Sequence, residues 1–321
     1  MKLLNSMECA DYKGGKRNYV SSEDGSVNVL NFDFDFGVSI NIILVDMPCF
    51  STEYQETEVN YIGTLMCVTG SVENTVGDDV FTQLPCTAVF GRPDPKPNYL
   101  RFPGGKFKGI SIGFTPEANL PKIGHDPDIR FMLAALKERY DTKNHIPFIM
   151  PNELMIVADS LIIELIDNGM SDQRFFKQRC AEALHILYCM GKPTCPCIPQ
   201  MKNAEIVDRM CYDLLDDLST TPNIKQLCED NDVNEFWFIR NFKKRYGFTP
   251  YEYHKIAKLT FAAAMLMSNN KQIGEVAKKT GYASQSKFSM AFKEFHECRP
   301  KHFTRCFETK LLDCQTDDLF D

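Results

Sequence analysis

Histidine is missing from the first 124 residues; the six histidines stand at 125, 145, 185, 254, 296 and 302. A metal centre built from several imidazoles and a carboxylate therefore has no ligand set in that stretch, which argues against a metal-dependent enzyme. No apolar run approaches the length of a membrane helix, and Met1-Lys2-Leu3-Leu4-Asn5 is too short an apolar start for a signal peptide. The expected location is the cytoplasm, with no membrane partner. Tryptophan occurs once, at 237, and no motif asks for a cofactor. Basic residues are outnumbered, 36 Lys and Arg against 43 Asp and Glu, for a net charge of −7. Taken whole, that balance argues against nucleic acid as a partner. Cysteine is plentiful at thirteen, but an odd count without a secretion signal reads as reduced thiols.

The distribution of the charge points the other way. Residues 221–310 hold 16 Lys and Arg against 9 Asp and Glu, a local charge of +7, while the rest of the chain holds 20 against 34, a charge of −14. Basic charge gathered on one segment is the electrostatic footprint of a phosphate-binding surface. At 321 residues the chain is long enough for two domains.

The basic segment contains one pattern twice. Ile224, Leu227, Cys228 and Val233 return 49 residues later as Ile273, Val276, Ala277 and Tyr282; Phe238, Phe242-Lys243 and Pro250 return 50 residues later as Phe288, Phe292-Lys293 and Pro300. The offset changes where Asn234 faces Ala283-Ser284, which reads as a turn insertion. Each copy has the layout of a helix-turn-helix. Asn223, three residues before Gln226, can cap a first helix with Ile224, Leu227 and Cys228 inward. Asp232-Val233 then turns, and Asn234 can cap a second helix to Tyr246, stopped by Gly247 with Pro250 beyond. Phe238 and Phe242 face the core, leaving Phe236, Ile239, Arg240, Lys243 and Lys244 on other faces. Such a face, apolar and basic together, suits a helix in the major groove of DNA. The alternative for a single copy is an ordinary amphipathic helix pair in an all-α core.

These residues carry a resemblance. Phe242-Lys243-Lys244-Arg245-Tyr246-Gly247-Phe248-Thr249-Pro250, Tyr253, Lys258-Leu259, Ala262, Ile273-Gly274-Glu275-Val276-Ala277, Gly281-Tyr282, Ser286, Phe288, Phe292-Lys293 and Pro300 resemble the DNA-binding domain of the AraC/XylS family of bacterial transcription regulators. The resemblance covers roughly residues 204–305. It implies a long joining helix, here Tyr251 to Ser268, and two units entering successive major grooves of double-stranded DNA. It also implies RNA polymerase as a partner. Two residues depart from the family pattern: Glu297 stands where Gly is usual, and Met290 where an Arg often reaches a base.

Before this segment the period is that of strands. Phe32, Phe34 and Phe36 alternate with Asn31, Asp33 and Asp35, and Ser39–Met47, Asn60–Val68, Val80–Leu84 and Phe107–Phe114 continue the theme. Gly70, Gly77-Asp78-Asp79, Pro93-Asp94-Pro95 and Pro103-Gly104-Gly105 supply turns. Residues 1–24 show no period and read as a loose lead-in. Gly70, Gly77 and a strand begun at Pro85 resemble the cupin-like sensor domain found ahead of many AraC-type domains. Candidate ligand-lining residues are Phe34, Tyr61, Phe90, Arg92 and Phe114, each of which could equally be core. From Asp126 the period turns helical, with Ile129, Met132, Leu133, Leu136 and Tyr140 on one face, then Pro151–Asn168, then Ser171–Met190. These helices could bury against the barrel or pair two subunits, the latter being common in the family. Arg174-Phe175-Phe176-Lys177 with Glu182-Ala183-Leu184 also resembles the siderophore-responsive branch. Gly191 to Pro199 is a proline-rich linker whose Cys195-Pro196-Cys197 supplies only half a zinc set. Ile206, Met210, Leu214 and Leu218 make an opening helix over 204–219, and the acidic tail after Lys310 is expected to fray.

The expected fold class is α+β: an N-terminal β-sandwich or cupin-like barrel with helices, and a C-terminal all-α domain of two helix-turn-helix units. The expected divisions are a sensing and dimerisation domain over 1–190, a linker over 191–203, the DNA-binding domain over 204–307 and an acidic tail over 308–321. The expected function is a transcription regulator, a homodimer controlled by a small-molecule effector, with no catalytic residues. The expected DNA-facing residues are Phe236, Trp237, Ile239, Arg240, Lys243 and Lys244 in the first copy, and Gln285, Ser286, Lys287, Ser289 and Lys293 in the second. Two alternatives stand beside it: a regulator switched by a protein partner, and an enzyme fused to a DNA-binding domain.

Overall fold

A computed structural model describes residues 7–47, 51–54, 61–76, 79–92, 98–123, 128–140, 147–190, 203–268 and 271–313. The chain separates into two compact units, Met1–Pro196 with Thr309–Asp321, and Cys197–Glu308. The linker expected over 191–203, with its Cys195 and Cys197, lies outside the described residues except for Asn203.

The first unit is built on antiparallel strands. They are β1 (Glu8–Tyr12), β2 (Gly15–Ser22), β3 (Gly25–Phe34), β4 (Val38–Asp46), β5 (Ser51–Tyr54), β6 (Ile62–Gly70), β7 (Val72–Val76), β8 (Asp79–Gln83), β9 (Thr87–Gly91), β10 (Asn98–Arg101), β11 (Lys106–Phe114) and, after a helix, β12 (Phe148–Ile149). An eight-stranded sheet runs β1-β2-β3-β4-β11-β6-β9-β12, and a four-stranded sheet runs β5-β10-β7-β8. Residues 1–24 were expected to be a loose lead-in, but residues 8–22 form the β1–β2 hairpin, with Lys13 and Gly14 both at positive φ in its two-residue turn. Its strands lie mostly exposed at a sheet edge, so they need no apolar alternation and leave no period in the sequence. The Lys13 ammonium anchors the turn by donating to the carbonyls of Ile166 and Asp167.

The large sheet buries opposite faces at its two ends. Val27, Val45, Cys67 and Phe107 pack with Val72 and Phe102 of the small sheet and its flank. Buried Asn74 donates to Gln83 Oε1 at 3.1 Å, and Gln83 Nε2 donates to the Leu65 carbonyl at 3.0 Å, so a polar chain crosses the same layer. On the other face Leu30, Phe32, Phe34, Ile40, Ile42, Ile110, Ile112 and Phe114 are buried. Helices α1 (Ile129–Tyr140), α2 (Asn152–Asn168) and α3 (Gln173–Cys189) lie on that side: the rings of Phe34 and Phe176 stand 5.0 Å apart, as do those of Phe90 and Tyr140. Ile129, Met132, Leu133, Leu136 and Tyr140 form the buried face of α1, and Phe175, Phe176, Glu182, Ala183 and Leu184 are buried on α3. The helices thus bury against the sheet.

The second unit is all α. Its helices are α4 (Ala204–Asp216), α5 (Ile224–Asp230), α6 (Glu235–Tyr246), α7 (Pro250–Met267), α8 (Ile273–Lys279) and α9 (Gln285–His296), with the first residues of α10 (Phe303–Asp313), a helix that the division cuts after Glu308. The opening helix α4 ends at Asp216, short of 219, and buries Val207, Asp208, Met210, Cys211, Leu214 and Leu215. The joining helix α7 starts on a full capping box between Thr249 and Glu252. The tail expected from residue 308 is helical to Asp313, and residues 314–321 lie outside the described residues. Cys298 and Cys306 form a disulfide with Cα atoms 6.7 Å apart, against the expectation of reduced thiols: an odd total says nothing about two cysteines eight residues apart, one in the bend after α9 and one on α10. Among the described residues no helix is long and apolar enough to cross a membrane.

Candidate nucleic-acid interface

The two copies in the second unit share the hydrogen bonds of the turn and of the second helix's cap, while only the first copy has a side-chain cap on its first helix. In the first, the Asn223 side chain accepts from the Gln226 amide at 3.1 Å and starts α5. The Gln226 side chain does not reciprocate but donates to Asp230 at 2.9 Å. The Val233 amide then donates to the Cys228 carbonyl at 3.0 Å, with Asp232 at φ 51 making the bend. Asn234 accepts from the Trp237 amide at 3.1 Å, which fixes the start of α6. In the second copy the Tyr282 amide donates to the Ala277 carbonyl at 2.9 Å, with Gly281 at φ 69, and Ser284 accepts from the Lys287 amide at 3.2 Å. A Cβ at Gly281 would collide with the Ser219 carbonyl, so glycine is required there on two grounds.

These bonds locate the change of offset. The last turn bond falls on residues 233 and 282, and the helix caps fall on 234 and 284, so Ala283 is the inserted residue. From there the copies run 50 apart: Phe238 and Phe242 have ring centroids 5.4 Å apart, Phe288 and Phe292 likewise, all four fully buried. The helices end on left-handed residues also 50 apart, Gly247 at φ 82 and Glu297 at φ 59.

With the aromatic pairs turned inward, the outward positions are defined. On α6, Phe236, Arg240, Lys243 and Lys244 are exposed, while Trp237 and Ile239 are half-buried. On α9, Gln285, Ser286, Lys287, Met290 and Lys293 are exposed and Ser289 is half-buried. Asn241 donates to the Trp237 carbonyl at 2.7 Å, inside α6. On the first helices of each copy, lysine pairs with its own helix: Lys225 lies 3.8 Å from Glu229, and Lys279 lies 3.6 Å from Glu275.

One member of the basic run is absent from the outward face. Arg245 points inward and sets Nε and Nη2 on the two oxygens of Asp208, each at 2.7 Å, and Tyr246 donates to the same carboxylate at 2.7 Å. Burial pushes the Tyr246 phenol well up, so it stays a donor at neutral pH. The signal in the sequence was Asp208, an acidic residue on the apolar face of α4 that calls for a cation. Lys258 of α7 is likewise turned to the protein and donates to the Thr220 carbonyl at 3.2 Å, its ammonium pKa lowered by burial.

The candidate ligand residues of the first unit do not converge. Phe34, Phe90 and Phe114 are buried on the helix-facing side of the large sheet. Tyr61 lies half-buried on the opposite side, where its ring sits 3.1 Å from the place a Cβ would occupy at Gly113. Arg92 is exposed.

Comparison with known proteins bears on the same segment. Residues 227–305 match the family model for a helix-turn-helix domain. The probable transcriptional regulator LumQ of Photobacterium leiognathi is 32% identical over 66 residues, 21% of this chain and 27% of that protein. The match therefore spans about a quarter of the relative's length. Among solved structures, the C-terminal domain of AraT, a response regulator from Geobacillus stearothermophilus, is 24% identical over 33% of this chain and 88% of its own, with a TM-score of 0.31. Wild-type ToxT from Vibrio cholerae strain SCE256, with unsaturated fatty acid bound, is 13% identical over 84% of this chain and 96% of its own, also at 0.31. The C-terminal unit is a double helix-turn-helix domain. Over that segment the chain is similar to transcription regulators.

Proposed function

We propose that this chain is a cytoplasmic, sequence-specific DNA-binding regulator of transcription that works as a homodimer, meets RNA polymerase on the DNA and takes a small-molecule effector in its N-terminal unit. The observation that carries the DNA-binding part is the pair α6 and α9. They are two helices fixed by equivalent caps, with aromatic residues locked inward and an outward stripe of basic, polar and apolar side chains. Lys243, Lys244 and Lys293 neutralise phosphates and release counterions. Phe236, Ile239 and Arg240 on α6, and Gln285, Ser286, Lys287 and Ser289 on α9, meet base edges, with Trp237 at the flank of α6. Effector binding acts by favouring one of two packings of the chain. No catalytic step is assigned.

A second reading replaces the small molecule by a protein partner. The packing of Phe34 and Phe90 against helix residues Phe176 and Tyr140, with Phe114 fully buried beside them on the same face, supports it, because these positions are already filled.

The test is a gel-shift selection of full-length protein on a pool of random duplexes, repeated from low to high salt. The expected result is enrichment of one sequence, bound with an affinity that falls steeply with salt. Failure to bind, or binding indifferent to salt, would overturn the reading. Incubating the protein in cell extract and identifying what it retains by mass spectrometry separates effector from partner.

A further inference from the structure

The two outward stripes are built from the same positions but carry their apolar group in different places. Positions 236, 240 and 243 lie along one face of α6, about one turn apart. Their counterparts 50 residues on are 286, 290 and 293 of α9. The first stripe reads Phe236, Arg240, Lys243 and the second reads Ser286, Met290, Lys293. Phe236 is 74% exposed and Met290 71%, although the aromatic residues two positions further along each helix, Phe238 and Phe292, are fully buried. A lone exposed apolar side chain needs no explanation. Two of them, one per copy, within the first two turns of a helix that meets base edges, do need one.

In the major groove only thymine presents an apolar group, its 5-methyl; the remaining edges are hydrogen-bond donors and acceptors. Setting Phe236 or Met290 against any other base would desolvate a polar edge without pairing it. Arg240 fits the two acceptors of guanine, whereas the Ser286 hydroxyl accepts or donates and selects no base. Resting on the DNA-binding reading above, we infer that the site bound by this chain offers a thymine methyl to Phe236 in one half and to Met290 in the other. Guanine lies next to the first thymine, under Arg240. The apolar reader sits on the first turn of α6 but on the second turn of α9. The two half-sites are therefore different sequences, although the protein segment is a repeat.

Deoxyuridine tests this, because it differs from thymidine by that methyl alone. The duplex obtained from selection is resynthesised with each thymine replaced singly by deoxyuridine, and full-length protein is titrated against each. The expected result is one sensitive thymine in each half, each replacement weakening binding roughly fourfold, the size of one methyl returned to water. Phe236→Ala should abolish sensitivity in its own half and keep it in the other, and Met290→Ala should do the reverse. Both side chains lie outside the core, and each variant controls for the folding of the other. Uniform indifference to deoxyuridine, or unchanged sensitivity in both variants, would overturn the inference while leaving DNA binding intact. Failure of any duplex to be selected would overturn the DNA-binding reading itself.

Discussion

Arg245 and Asp208 form a two-pronged ion pair inside the C-terminal unit, 37 residues apart in the chain and buried on both sides. It ties the end of α6 to α4, so the orientation of the proposed recognition helix is fixed from within. Asp208→Ala leaves a buried guanidinium without its carboxylate and should cost about 3–5 kcal/mol in urea unfolding of the full chain. The salt slope of the folded fraction's DNA binding should stay unchanged, because Arg245 does not face phosphate. A variant as stable as the parent would contradict the buried pair.

Glu297 holds a left-handed conformation at the end of α9, where its counterpart Gly247 does so without strain. Glu297→Gly should therefore stabilise the chain by up to about 1 kcal/mol, and Gly247→Ala should destabilise it by a similar amount. Thermal unfolding of the two variants checks both signs. No atom lies within 4 Å of a Cβ added at Gly247, so the loss there would be conformational and not steric.

His254 is buried on α7, and burial, with the Lys258 charge beside it, holds its pKa below the ordinary 6.5; the Asp217 carbonyl, 3.5 Å away, opposes the shift. A lowered pKa in the folded state means the unfolded chain takes up the proton first. The stability is present above about pH 6.5 and is lost as pH falls through that value toward the folded pKa. In this window stability should fall by at most about 1.4 kcal/mol per pH unit for one group. His254→Gln should flatten that part of the profile.

Arg240 and Lys244 are both exposed cations on α6, yet they should behave differently. Arg240→Ala should lose about 1–3 kcal/mol at the preferred site and relax the base choice there. Lys244→Ala should weaken all sequences alike and reduce the salt slope by about one. Indistinguishable variants in a competition against altered duplexes would place the reading face elsewhere.

The C-terminal unit was legible because its signals are local. Asn223, Asn234 and Gly247 act within one turn, and Phe238 and Phe242 repeat at the period of a helix. The change of offset places an insertion at Ala283-Ser284, and the hydrogen bonds narrow it to Ala283. In the first unit, Phe32 and Phe34 announced β3 by alternation, and the buried face of α1 could be read residue by residue. The β1–β2 hairpin could not, since exposed edge strands are under no pressure to alternate. The Arg245–Asp208 pair was hidden for another reason: a basic residue in a basic run looks outward until the distant carboxylate is placed beside it. The ligand candidates do not all converge because alternation does not show which side of a two-faced sheet Tyr61 occupies, nor that Arg92, beyond the end of β9, is exposed.

Trp237, the single tryptophan, gives the most direct view of the central claim that α6 enters the groove. It is half-buried on α6 next to Phe236, with its amide on the cap formed by Asn234. Selective excitation therefore reports on one helix without labelling. Titrating full-length protein with a duplex already bound in a gel shift should shift or quench this emission to saturation, and high salt should reverse the change. An emission spectrum that stays fixed while the gel shift goes to completion would mean that α6 is not the helix in the groove.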